Sequence, residues 1–245
     1  RSFGFNYIVH CVFPPRKKPL MMNFGVDSHI RKESTDTAKH AIDFCRKIDA
    51  PLYSMHTGYL CPIDEIGNQL GPLISQKRAV ENITFSLREV CDFARSYGIK
   101  VAIENSTARA RHLLFFSPAQ YGQLLRNVGS KNLGLMIDLG HLKASSVAHK
   151  FDPAAYFREV QHMVFALHVH EYRKGKDHLG LSSPDILKRF GVSQLCKNPY
   201  ITLESNGLDT PSLEKSIRVL KQAEGQLKSQ AKSTAGEKFN SLSCC

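Results

Sequence analysis

Imidazole and carboxylate side chains recur in this chain at the ends of short apolar runs. The runs are YIVH closing on His10, YSMH on His56, VAIE on Glu104, LMID on Asp138, FALH on His168 and ITLE on Glu204. Imidazole nitrogens and carboxylate oxygens brought together suit Zn²⁺ and Mn²⁺. Asp138-Leu-Gly-His141 sets two ligand types at the end of one run and in the turn after it. His168-Val-His170-Glu171 alternates with period two, so His168 and His170 share a face from which Val169 is excluded. Each ring needs hydrogen-bond partners, so neither is an ordinary core residue. Asp177 and His178 follow in a loop soon afterwards, within reach of the same place. Taken singly, every position has a plain reading: His10 as a surface residue, His56 as a cap before Thr57-Gly58, Glu104 and Glu204 as rim charges. The joint pattern of six is what points to a metal. His29, His40, His112, His149 and His162 fall in loops or helices and read as solvated.

Elements must deliver those side chains to one place. Each run is short, apolar or β-branched, and bounded by turn residues, which predicts a buried strand. Ligand types at strand C-terminal ends fit parallel strands opening on one mouth, as in a β/α barrel. Between the strands the spacing predicts helices. One spans Asp36 to Lys47 behind a Ser/Thr/Asp cluster suited to capping, and another spans Gln76 to Tyr97 and is closed by Gly98. Ser117-Pro118, Asp152-Pro153, Ser183-Pro184 and Thr210-Pro211 each read as an N-cap followed by Pro at the first helical position. Alternating strands and helices imply a parallel sheet with right-handed crossovers. The expected fold class is α/β, of the (β/α)8 TIM-barrel type, lacking the first two strands within this chain: either the domain starts upstream of Arg1 or the barrel is open. Residues 1–221 form the barrel domain and the polar residues 222–245 a frayed C-terminal tail.

Length and composition agree with one large domain of 245 residues. No stretch approaches the roughly 18 apolar residues of a membrane span, and residues 1–7 do not resemble a signal peptide. The chain starts without Met, which leaves an upstream segment open. Seven scattered cysteines without a CxxC pair argue for thiols in a reducing, cytoplasmic setting, with Cys45 and Cys91 as small buried hydrophobes. Cys244-Cys245 does not fit the prenylation pattern. The net charge of +11 admits nucleic acid or phosphorylated substrates without selecting either.

The set VHCVFPP, MHTGY, AIEN, IDLGH, HVHE and TLES, in this order, resembles the xylose isomerase-like TIM-barrel superfamily. Its members include sugar and sugar-phosphate isomerases and epimerases and endonuclease IV-type AP endonucleases (AP endonuclease family 2). The resemblance covers residues 5 to 220, and the VHCVFPP strand resembles the family's third. It implies a central metal held by Glu104, Asp138, His168 and Glu204. In the endonuclease branch a second metal would share Glu104 and take His10 and His56. His141 resembles the family's additional histidine. That branch completes a third site with an Asp-x-His pair, whereas here Asp177 and His178 are adjacent and Lys176 stands where the Asp is expected. The Gly-rich turn after the Glu-Asn pair is replaced by residues 106–111.

Three functions follow from the resemblance. The first is a sugar or sugar-phosphate isomerase or epimerase that holds one or two divalent ions, Zn²⁺ or Mn²⁺. It would work through an enediolate, with Glu104 and Glu204 exchanging the proton. Arg173, Lys174 and Lys176 would grip phosphate or sugar oxygens, and His141, His170, Asp177 and His178 are further candidates for metal or substrate. The second is a metal-dependent AP endonuclease acting on DNA, favoured by the pair His10 and His56 and by the charge. The third is a non-catalytic barrel. No membrane partner is expected, and the oligomeric state is left open.

Overall fold

The computed structural model describes the chain apart from residues 1–6, 12–20, 27–28, 65–67, 108–111, 115, 193–198 and 241–245, and apart from the side chains of residues 227–240. The VFPP half of the first motif, most of the turn that replaces the Gly-rich one, and Cys196, Cys244 and Cys245 lie outside the described residues. Two compact units divide the chain, Arg1–Ile137 and Asp138–Cys245.

In the first unit β1 (Val9–His10), β2 (Leu52–His56), β3 (Lys100–Glu104) and β4 (Leu133–Asp138) pair in that order, all parallel. The helices α1 (His29–Ile48), α2 (Gln76–Arg95) and α3 (Pro118–Val128) link them. The register sets His10 opposite Ser54 and His56 opposite Glu104. Side chains in a strand alternate between faces, so His10, Ser54, His56 and Glu104 share one face at the strands' C-terminal ends. The other face packs on the helices. Met55, Ile103, Ile42, Leu87, Cys45 and Cys91 are all fully buried. Burial pushes the Cys45 and Cys91 thiols up to about 12, which suits their expected role as small hydrophobes.

Helix α1 begins seven residues before the predicted start at Asp36. Ser34 and Thr35, read as caps, lie inside the helix and donate their hydroxyls to the carbonyls of Ile30 (2.7 Å) and Arg31 (3.0 Å). Hydroxyls of this kind can serve a cap or bond back four residues, and the sequence does not distinguish the two. The remaining starts in this unit follow expectation. Ser75 caps α2, and Ser117 with Gln120 forms a capping box over α3, with Pro118 at its first turn.

The second unit contains α4 (Leu139–His149), α5 (Pro153–Val160), a 3₁₀ turn (Gln161–Met163) and β5 (Val164–Val169). After these come β6 (Glu171–Arg173), β7 (Lys176–Leu179), α6 (Ile186–Arg189), β8 (Tyr200–Leu203) and α7 (Thr210–Asn240). β5 and β8 are parallel neighbours, with His168 opposite Thr202. β5 runs one residue past His168 and β8 stops one residue before Glu204, so these two side chains flank strand ends instead of closing them.

Further features depart from the sequence expectation. Two helices, not one, separate β4 from β5. The segment read as a loop after His168 is an antiparallel hairpin, β6–β7, turned by Lys174 (φ 51°) and Gly175 (φ 79°). Positive φ at both central residues is the signature of a type I′ turn, which Lys-Gly does not advertise as Asn-Gly would. α6 starts at Ile186 behind Asp185, two residues later than Ser183-Pro184 suggests. At α7 the side chain of Asp209, not Thr210, accepts the first-turn Ser212 N–H at 3.0 Å. The polar residues from Gln222 remain helical as far as Asn240, so the frayed reading of that stretch gives way to helix. No helix among the described residues is long and apolar enough to cross a membrane.

Candidate metal centres

In the first unit the shared face gathers His10, His56 and Glu104. Glu104 is 1 % exposed, and its Oε2 lies 3.3 Å from His10 Nε2 and 3.5 Å from His56 Nε2. The two rings meet edge-on with centroids 5.5 Å apart. A carboxylate taken out of water demands compensation, and two imidazoles brought to one of its oxygens can supply it or share a cation with it.

A residue the sequence reading missed orients the first of these rings. The Ser54 hydroxyl donates to the Val9 carbonyl (3.4 Å), and its oxygen lies 3.0 Å from His10 Nδ1. Engaging Nδ1 in this way turns Nε2 toward Glu104. Ser54 sits two residues before His56, and that spacing was the available signal. The turn after His56 is fixed by Asn23, whose Oδ1 accepts the N–H groups of Gly25 and Tyr59, both at 3.0 Å. Gly58 there has φ +107°, and a Cβ on it would lie 2.5 Å from that same oxygen.

In the second unit Asp138 is the hub. Fully buried, it caps α4 by accepting the His141 N–H at 2.6 Å, so the positive end of the helix dipole offsets its charge. His170 sets Nε2 2.9 Å from Asp138 Oδ2, with Asp177 Oδ1 3.3 Å from its Nδ1. Burial pulls the His170 imidazole down; the hydrogen bond and charge of Asp138, then Asp177 and the Glu171 carbonyl, outweigh it and leave its pKa raised. His178 stacks on His170 at 4.3 Å, and its backbone N–H meets His170 Nδ1 at 3.1 Å. One ligand atom from each of Asp138, His141, His170 and His178 falls within 4.8 Å of the others. The buried His168 places Nδ1 2.8 Å from Glu204 Oε2 and 3.9 Å from Asp138 Oδ2. His168 and His170 both approach Asp138, as their common face requires.

Gly140 is the second residue the sequence reading missed. A Cβ there would stand 1.9 Å from His170 Cε1, so only glycine lets that ring approach α4. Its signal was its position between Asp138 and His141. Arg173, Lys174 and Lys176 are exposed on the tip of the β6–β7 hairpin. Lys176 and Asp177 belong to β7, so the position expected to carry an Asp faces solvent as lysine, while Asp177 turns to His170.

The family model described as xylose isomerase-like TIM barrel matches residues 1–222. The chain is 26 % identical over 167 residues to the Methanocaldococcus jannaschii protein MJ1311, covering 67 % of this chain and 50 % of that one. It thus spans about half the length of this curated relative. Among solved structures, a D-tagatose 3-epimerase-like protein superposes with a TM-score of 0.70 at 21 % identity, over 94 % of this chain and 81 % of that chain. A Mycobacterium smegmatis xylose isomerase-like TIM-barrel protein, in complex with magnesium, gives 0.61 at 18 % identity, over 82 % of this chain and 70 % of that one. At these identities the structural likenesses show the fold.

Proposed function

This chain belongs to the xylose isomerase-like TIM-barrel family, and from that premise we propose that it is a divalent-metal-dependent isomerase or epimerase of sugars or sugar phosphates. The observation that carries the reading is His168, buried beside Glu204 (2.8 Å) and Asp138 (3.9 Å) at the C-terminal ends of parallel strands. One imidazole between two carboxylates is a donor set that fits Zn²⁺ or Mn²⁺. The family resemblance implies Glu104, buried at the end of β3, as a further ligand. Two of the solved structures similar to this chain support the reading by their descriptions, one as D-tagatose 3-epimerase-like and one as a magnesium complex.

A bound cation supplies Lewis acidity at the substrate's carbonyl and neighbouring hydroxyl. The chain's own residues do the proton work. One of Glu104 and Glu204 takes the proton from the carbon beside the carbonyl, and the electron pair moves into an enediolate. The other returns a proton to the opposite face, so substrate and product are isomers and nothing else is consumed. His170 and the α4 N-terminus hold Asp138 in place. Arg173, Lys174 and Lys176 grip phosphate or outlying sugar oxygens.

Incubating the metal-loaded chain with a panel of ketoses, aldoses and their phosphates in D₂O tests this reading. Deuterium enters the carbon next to the carbonyl of the true substrate, and the exchange stops with chelator or with Glu204→Gln. A metal-loaded chain that exchanges no proton in any of them overturns it.

One observation favours a second reading, a phosphodiesterase acting at abasic sites in DNA. His10 and His56 both face Glu104, as a two-metal hydrolase would need. Nicking of an abasic oligonucleotide that disappears with Glu104→Gln would establish that reading in place of the first.

A further inference from the structure

Cys11 stands one residue beyond His10, and its backbone is pinned. Its N–H donates to the Ser54 carbonyl at 2.7 Å, and its own carbonyl accepts the Tyr53 hydroxyl at 3.0 Å. Both bonds run to β2, the strand that ends on His56. In this posture the Cys11 Sγ, a His10 nitrogen and a His56 nitrogen all lie within 4.8 Å of one another. Glu104, 1 % exposed, turns Oε2 to the same two imidazoles at 3.3 and 3.5 Å.

We propose that His10, Cys11 and His56 bind a transition-metal ion with Cys11 as a thiolate ligand, and that this ion is Zn²⁺ rather than Mn²⁺ or Mg²⁺. Donors around one zinc, at about 2.0–2.3 Å from it, sit roughly 3.3–3.8 Å apart. The three side chains therefore close on an ion with a small shift of their tips. These three protein donors leave the fourth tetrahedral position to water or substrate, as zinc sites with an open position do. A thiolate is soft and favours Zn²⁺, whereas oxygen-rich sets suit Mn²⁺ and Mg²⁺, so this group differs in preference from the carboxylate set around His168. Ser54 at His10 Nδ1 already holds that ring in place. On binding, the thiol proton passes to solvent and the sulfur pair forms the metal bond, with no change of oxidation state. The inference stands on the first unit alone and does not require the sugar chemistry.

Cobalt loading of the full chain tests it. Co²⁺ bound through Cys11 gives a near-ultraviolet thiolate-to-cobalt charge-transfer band, displaced by Zn²⁺ and not by Mn²⁺. The band disappears in Cys11→Ser and in Cys11→Gly, and zinc affinity at this site falls by at least about 100-fold. Glycine is at ease at the Cys11 φ of 53°, so the second variant keeps the fold while removing the sulfur. In the unmutated chain, bound zinc shields Cys11 from iodoacetamide, read by peptide mass mapping. A saturated chain with no charge-transfer band, a band that survives both substitutions, or equal Cys11 alkylation with and without zinc overturns the assignment. Sugar isomerisation without the band sinks this inference alone, and the band without proton exchange sinks the enzymatic proposal alone.

Discussion

The two units gather similar donors and hold them differently. In the first, the His10 and His56 side chains are 26 % and 31 % exposed and meet edge-on beside one buried carboxylate. In the second, Asp138 is fully buried at the N-terminus of α4, His170 is locked between it and Asp177, and His178 stacks on top. The first group can adjust its ring positions, while the second is built into the packing of a helix against a strand end. Burial therefore decides what a substitution disturbs. Around Asp138 it disturbs the fold, and around His10 it disturbs ion affinity.

The largest effect that sharpens this contrast is expected from Gly140→Ala. The added methyl collides with the His170 ring, and the overpacking costs about 3 kcal/mol in urea denaturation. An unchanged midpoint would show that His170 has room to move and would break the contrast. Glu204→Gln comes next, weakening divalent-ion binding by about 100-fold in calorimetric titration while leaving the denaturation midpoint nearly unmoved. Unaltered affinity would remove Glu204 from the metal set. Ser54→Ala frees the His10 ring and lowers zinc affinity in the first unit by about 10-fold. Unaltered zinc affinity would remove Ser54 from the support of His10.

The smallest effect concerns the thiols. Burial raises Cys45 and Cys91 from 9.0 to about 12, so the folded chain keeps them protonated and unlabelled at pH 8. Because the folded pKa lies above the unfolded one, their contribution to stability is complete below 9.0 and is lost as pH rises from there toward 12. Rapid labelling of native Cys45 at pH 8 would contradict the burial of α1.

Much of the strand framework was legible. The runs ending at His10, His56, Glu104 and Asp138 are strands that end on those residues, because short apolar stretches beside turn residues have few alternatives to a buried parallel strand. Ser117 and Asp152 cap as expected, since Pro at the first turn leaves little else for them to do. Ser34 and Thr35 misled, because a hydroxyl that can cap can equally bond back inside a helix. The β6–β7 hairpin was invisible because its turn is Lys-Gly, and its strands are too short and polar to alternate.

By itself the sequence determined which residue types stand at the strand ends, that the strands are parallel, and hence the kind of chemistry available. Those follow from local spacing and from the side-chain period of a strand. Only the tertiary structure decided the company those residues keep. It set His56 beside Glu104 through the β2–β3 register, put a serine behind His10, made Asp138 a helix cap as well as a ligand candidate, and brought a cysteine thiol to two imidazoles. Register and ring-to-backbone clearance depend on elements far apart in the chain, so no local pattern of residues encodes them.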